Sequence, residues 1–367
     1  MFVITLLNIV VVFMAYLARF EKHRYLLAWA FVLISLVLGI RYGYGNDFFN
    51  YEYFFEYGIY GEGNGDIDPG WLLLNKLFKP FGFSTFVFFL TAIENLMLYD
   101  LIRRYVFPQY YWFALFIYLF NPMFMLIGLS MMRQFLVQVL GLYAVEKVYK
   151  KKWVHYILIV FLCVSIHKIG LLLIPLAFFP FIYRFTNNRK ILLLFVGIVF
   201  LFMFFIARRM DDIINFFVEF FAKSGMKYGD SYLTDLNKDA RLNPKLVLRY
   251  AIYIFILVRN YIHLSDSKPY KLFAVEVTLG LFFLPFATIY PMAVRVSWIY
   301  SFVIIISLPL LLQKERIPIF KYATLLVFSF LLLRDYENHF ISDIWGKQYI
   351  NFYTIFSEYA IYDIPLF

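Results

Sequence analysis

Residues 153–183 read WVHYILIVFLCVSIHKIGLLLIPLAFFPFIY, an apolar run with a His-Lys pair, His167 and Lys168, near its middle. Read as one long tilted membrane helix, this run puts the following basic cluster, Arg184, Arg189 and Lys190, on the side opposite to every earlier basic loop. Each later loop then inverts as well. Read as two short helices meeting near His167, it keeps that cluster with the others. Cytoplasmic loops are enriched in Lys and Arg, so the second reading is preferred, and it sets the topology of everything downstream.

Apolar runs of this kind recur along the whole chain. Of its 367 residues, 63% are hydrophobic and 16% charged, whereas a soluble domain has about 45–50% and about 25%. That excludes a soluble enzyme, a disordered chain and a disulfide scaffold. The single cysteine, Cys163, has no intramolecular partner and reads as a lipid-facing or core side chain. The runs are continuous rather than alternating, so the spans are helices and not barrel strands. Twelve are predicted, at 2–18, 25–40, 83–102, 109–127, 131–146, 153–167, 169–183, 190–207, 244–258, 271–290, 294–312 and 317–333. The first lacks a basic leader and a small-residue cleavage site and is followed by Arg19, so it reads as a retained span. No linker, low-complexity tract or internal repeat divides the chain. The expectation is an all-α polytopic integral membrane protein of about 12 transmembrane helices, a single domain over 1–367.

Alternate loops at 19–24, 100–108, 146–152, 184–190, 259–271 and 313–321 hold 18 of the 34 Lys and Arg but only 5 of the 24 Asp and Glu. That side carries a net +13 and the remainder of the chain −3, which assigns the first side to the cytoplasm and both termini to the outside. The basic excess therefore reports topology and contact with anionic lipid, and no nucleic-acid surface is visible. Long external segments are expected at 41–82, 208–243 and 335–367. The start of 208–243 has the spacing of an amphipathic surface helix, and the rest of it is a polar, Tyr-bearing stretch suited to a lid or a plain connection.

The unusual polar residues fall on the external side. RYGYGNDFFNYEYFFEYG places Arg41, Asp47, Tyr51 and Glu52 at or beyond the membrane surface, with Gly43 and Gly45 permitting a sharp turn. Tyr42 and Tyr44 read as aromatic-belt residues. In GDIDPGW, Asp68 before Pro69 reads as a helix cap, while Trp71 suits either an interface anchor or a sugar-stacking face. Ser130, Arg133 and Gln134 open the fifth span, and an arginine there usually faces a partner or a water-filled cavity. His167 and Lys168 lie at the external helix break, and Arg295 opens the eleventh span. Arg41, Arg133 and Arg295 near one leaflet suit a phosphate or diphosphate, because guanidinium stays charged and binds oxygens bidentately. Glu94 and Glu276, deeper in spans three and ten, read as partners of an arginine or of backbone. There is no Gly-rich phosphate loop, HExxH or GxSxG, and the five His and scattered carboxylates lack ligand spacing, so no metal and no cofactor is expected.

Taken in order, Arg41, Gly45-Asn46-Asp47 and Tyr51, then Ser130 to Gln134, His167, and Arg295 with Tyr300, resemble the EpsG/Wzy group of bacterial polysaccharide polymerases. The resemblance implies a GT-C-like glycosyltransferase of the bacterial cytoplasmic membrane whose external loops form the active site. It would move a growing glycan from undecaprenyl diphosphate to another lipid-linked repeat unit. It also implies a chain-length regulator and a flippase of the same pathway as partners, beside the lipid bilayer and the undecaprenyl-diphosphate-linked oligosaccharide. The expected catalytic set is Asp47, His167 and Arg133. Arg41, Arg295, Tyr51, Gln134, Lys168 and Tyr300 are expected to bind the diphosphate and substrate. A GT-C enzyme using a polyprenyl-phosphate sugar, a transporter and a membrane O-acyltransferase stay open as alternatives. Transport is disfavoured by charges gathered on one side rather than at mid-bilayer.

Overall fold

The computed structural model of the protein describes residues 1–58, 68–178, 298–341 and 347–357, with a few isolated helical positions between 190 and 252. The spans expected at 244–258 and 271–290, most of 190–207, the segment 208–243, Glu276 and Arg295 lie outside the described residues. The described chain forms α1 (Phe2–Leu17), α2 (Leu26–Gly39), β1 (Arg41–Tyr42), α3 (Phe48–Tyr57), α4 (Pro69–Phe78) and α5 (Phe83–Tyr105). It continues through α6 (Tyr111–Phe120), α7 (Met125–Ser130), α8 (Met132–Tyr149), α9 (Trp153–Ile166) and a 3-10 helix over Lys168–Phe178. After the undescribed stretch come α10 (Ile304–Lys314), α11 (Pro318–Ile341), α12 (Lys347–Ile350) and β2 (Tyr353–Thr354).

The polarity of this bundle suits lipid rather than water. α1 exposes Phe2, Leu6, Ile9 and Phe13, and α9 exposes Val154, Ile157, Leu158 and Phe161, while Arg41, Glu94, Asn95, Gln134 and Gln138 are buried. Two helical stretches, Glu21–Gly39 and Phe83–Tyr105, are by themselves long and apolar enough to cross a bilayer, and shorter apolar helices surround them.

The chain breaks at His167, as the charge argument required. His167 is extended (φ −159°, ψ 131°) and ends α9. The following 3-10 helix folds back along α9, with the Tyr156 hydroxyl donating to the carbonyls of Leu173 (2.8 Å) and Ile174 (3.0 Å). A Cβ on Gly170 would lie 2.6 Å from the Cys163 backbone, so only glycine permits this return. The second element is not an α-helix over its described length; Pro175 lies inside it and supplies no backbone N–H. Cys163 is core, fully buried.

A single span at 109–127 does not form. Pro122 drives Asn121 into the extended region (ψ 108°), ending α6 at Phe120, and the Asn121 side chain accepts the Met123 N–H at 3.1 Å to build the turn. The chain resumes as α7 and bends again at Met131 (φ −94°, ψ 63°) before α8. Backbone groups freed by such breaks need partners inside an apolar bundle. Asn8 donates to the Leu119 carbonyl at 3.1 Å, and Arg41 reaches the Leu129 carbonyl at 3.3 Å. Other ends shift modestly: α5 runs on to Tyr105 and α11 continues well past 333, to Ile341.

The described loops sort by charge. Arg104 pairs with Glu146, Lys321 lies over the Tyr110 ring, and the Tyr110 hydroxyl bonds the Leu312 carbonyl, so the basic loops after α5, α8 and α10 share one end. Residues 41–58, 68–70, 129–133, 167–168 and 349–355 gather at the other.

Candidate functional site

The first-loop turn is built on Gly45, whose φ of +104° few other residues adopt and whose missing Cβ would stand 3.0 Å from Ser130. That close approach lets the Asp47 N–H donate to the Ser130 Oγ at 3.1 Å, seating the loop on the α7–α8 bend. Asp47 precedes α3 but its carboxylate does not cap it.

Arg41 is nearly inaccessible, at 3% exposure. Its Nη1 donates to the Leu38 carbonyl and to Thr91 Oγ1, each at 2.8 Å, and its Nη2 donates to the Leu129 carbonyl. Glu94, buried one turn along α5 from Thr91, lies within electrostatic reach of Arg41 but closes no ion pair with it among the described residues. Arg41 thus ties α2, α5 and the end of α7 together, below the loop that carries Asp47.

Arg133 has a different setting. It stands in the first turn of α8, pairs with Asp68 Oδ2 at 3.3 Å and has its guanidinium 5.9 Å from the centre of the Tyr51 ring. Asp68 does begin α4 with Pro69 at the first position, as its sequence suggests, but it makes no side-chain cap. Its carboxylate turns instead toward Arg133 and the Lys168 backbone and ammonium. Burial raises its proton affinity and those two cations pull it partly back, leaving it above the ordinary aspartate value. Burial likewise pushes the Tyr51 phenol up, against the opposing pull of Arg133. α4 reaches this position because Gly70 packs onto the end of α9, where a Cβ would meet Ser165 Oγ at 2.4 Å.

Arg133, Asp68, Tyr51 and Lys168 are thereby brought together from α8, α4, α3 and the α9–3-10 junction. His167 directly precedes Lys168, and its Nδ1 accepts the Ile169 N–H at 3.0 Å. Gln134 is buried beside Arg133. Tyr300 is buried with its hydroxyl on the Leu172 carbonyl at 2.8 Å, so it packs the 3-10 helix. Arg295 lies outside the described residues.

Two aromatic readings are corrected. Trp71 is fully buried, edge-on to Tyr51 (5.6 Å) and tilted against Phe86 (5.2 Å), so it offers no face to a sugar and no anchor to an interface. Tyr44 is equally buried and donates to the Tyr349 carbonyl at 3.3 Å, a core contact rather than an aromatic belt. Two site residues escaped the sequence. The sequence of Asp68-Pro69 reads as a cap, because a carboxylate 65 positions from Arg133 carries no local mark of that partnership. Tyr349 lies in 335–367, for which the sequence predicts only an external segment. Among the described residues no group of three or more His, Cys, Asp or Glu gathers as metal ligands would.

No curated protein and no solved structure matches the chain. The family model described as EpsG family matches residues 24–353, which takes in both the first-loop turn and the Arg133 cluster. Membership implies a membrane protein with a polysaccharide-polymerase-type, glycosyltransferase-like role. With nearly its whole length matched, the chain belongs to the EpsG family.

Proposed function

We propose that the protein is a polysaccharide polymerase that transfers a growing glycan from undecaprenyl diphosphate to the non-reducing end of another undecaprenyl-diphosphate-linked repeat unit, at the external face of the bacterial cytoplasmic membrane. The observation that carries this reading is the convergence of Arg133, Asp68, Tyr51 and Lys168 at the first turn of α8. Two cations against the one Asp68 carboxylate, with a helix N-terminus and a phenol, leave a net positive point that suits an anionic group of high charge density. Arg133 and Lys168 hold the diphosphate and stabilise the charge that grows on it as the glycosidic bond breaks. Arg295 is the third cation in this proposal, while Gln134 and Tyr300, both buried, support the site rather than bind substrate. Arg41 serves by holding the α2–α5–α7 junction that positions the Asp47 loop.

An acceptor hydroxyl attacks the donor anomeric carbon, and Asp47 or His167 takes its proton as general base. Asp68 holds the guanidinium of Arg133 in place before substrate arrives. The lipid chains reach the site sideways from the bilayer, and a GT-C-like arrangement of about twelve spans fits that route. A chain-length regulator and a flippase are the proposed partners.

The test is reconstitution of the full chain in proteoliposomes with purified lipid-linked repeat units, read as a ladder of glycan lengths. Arg133→Ala is expected to abolish elongation, and elongation at the wild-type rate would overturn the assignment. Activity undiminished by EDTA is expected, since cationic side chains supply the charge.

A further inference from the structure

The segment after α11 closes over the first loop. β2 pairs antiparallel with β1, setting Arg41 opposite Thr354 and Tyr42 opposite Tyr353, and the Ile355 N–H extends the ladder to the Ile40 carbonyl at 2.9 Å. α12 delivers Tyr349 beneath the turn. Tyr349 is fully buried, its ring edge-on to Tyr44 at 5.1 Å and to His339 at 5.0 Å. Its backbone carbonyl accepts from Tyr44 and from the Met1 amine. The ring and backbone are thus anchored, and the phenol oxygen lies in hydrogen-bonding reach of the Ser130 side chain and within electrostatic reach of Asp47 and Arg41.

A phenol buried this deeply needs a polar partner, and packing alone gives no reason to retain its hydroxyl when Phe would fill the same space. Ser130 explains its use. The hydroxyl of Ser130 can accept two hydrogen bonds; one comes from the Asp47 N–H, and the Tyr349 phenol lies in reach of the same oxygen. We propose that Tyr349 is a positioning residue, whose O–H fixes the Ser130 hydroxyl and through it the backbone of Asp47, so that the clasp formed by residues 349–355 is part of the reaction centre. This rests on the polymerase reading, in which Asp47 adjoins the transferred proton.

The experiment compares full-length wild type, Tyr349→Phe, Ser130→Ala and the double variant in proteoliposomes, with purified lipid-linked repeat units as the probe. Tyr349→Phe keeps the ring and removes only the hydroxyl. It is expected to retain the thermal midpoint and KM and to lower kcat about tenfold, the scale of a small misplacement at a reacting group. Ser130→Ala should lose a similar factor and the double variant no more than either, because both act on Asp47 through one linkage. A Tyr349→Phe protein with wild-type kcat, or losses that multiply in the double variant, overturns the proposal. A lowered thermal midpoint with unchanged kcat assigns Tyr349 to packing and also overturns it. If wild type itself elongates nothing, the polymerase reading fails first, and the inference falls with it.

Discussion

The two ends of the bundle use the same kinds of residue to different effect. At the basic end, Glu146 is almost wholly buried and is met by Arg104, Lys150 (2.7 Å), Lys147 (3.4 Å) and the Tyr105 hydroxyl (2.6 Å), while Asp100 takes Arg104 (2.6 Å) and Tyr143 (2.7 Å). These charges close on one another, and their product is a clamp between α5 and α8. At the opposite end Arg133 meets Asp68 in one longer contact, and Trp71 Nε1 and Gln134 Nε2 complete no hydrogen bond among the described residues. A closed network stabilises; an open one is arranged for something that arrives.

The largest effect should separate the ends outright. Arg133→Ala is expected to cut elongation about a hundredfold or more, the scale of losing one group that stabilises developing charge, with little change in thermal midpoint. Arg104→Ala should do the reverse, lowering the midpoint in detergent while each folded molecule elongates normally. Equal losses of activity in both variants would erase the distinction.

Asp68→Asn comes next. It removes the carboxylate charge that Arg133, 19% exposed, pairs with, so the guanidinium is held less firmly and elongation should fall about tenfold. Asp68→Glu should recover part of that loss. Steady-state rates for the three proteins check it, and a fully active Asp68→Asn would reduce the contact to a bystander.

Glu146→Gln tests the other end by stability. Three cations lose their shared anion, but they are 22–41% exposed, so solvent limits the loss to about 2 kcal/mol. Chemical unfolding in detergent measures it. A neutral result would mean the clamp is decorative.

What the sequence disclosed follows the physics of each signal. The break at His167 was legible because loop charge is a long-range constraint, indifferent to which helix type follows. The Gly45 turn and the helix start at Pro69 were legible because both are local backbone chemistry. Asn121-Pro122 carried a clear turn signal that the surrounding apolar run concealed, and reading it would have split the span at 109–127. Asp68 with Arg133, and Tyr349 with Ser130, could not be read, because such partnerships join residues 65 and more positions apart and depend on how α4 and the clasp dock. Trp71 and Tyr44 misled for a related reason: an aromatic at a membrane edge and one in a buried turn look alike until packing is known.

The smallest effect sharpens the comparison through pH. Glu52 of α3 shares the open end, and burial, with a smaller push from Glu56, lifts its carboxyl from 4.5 to about 7. Glu56 is held by Lys79 at 2.6 Å. An acid whose folded value exceeds its unfolded one binds more protons folded. Its contribution is therefore fully present below about 4.5 and is lost as pH rises to about 7. Glu52→Gln removes that loss, so at pH 8 it should gain about 1 kcal/mol, reduced from the ideal linkage value for partial exposure, and at pH 4 gain nothing. Glu146→Gln should move stability the opposite way at pH 8. An acid that destabilises at one end and another that stabilises at the other would separate charge left open from charge neutralised within one small chain, and a gain from Glu52→Gln that is the same at both pH values would show that burial of its charge is not the cause.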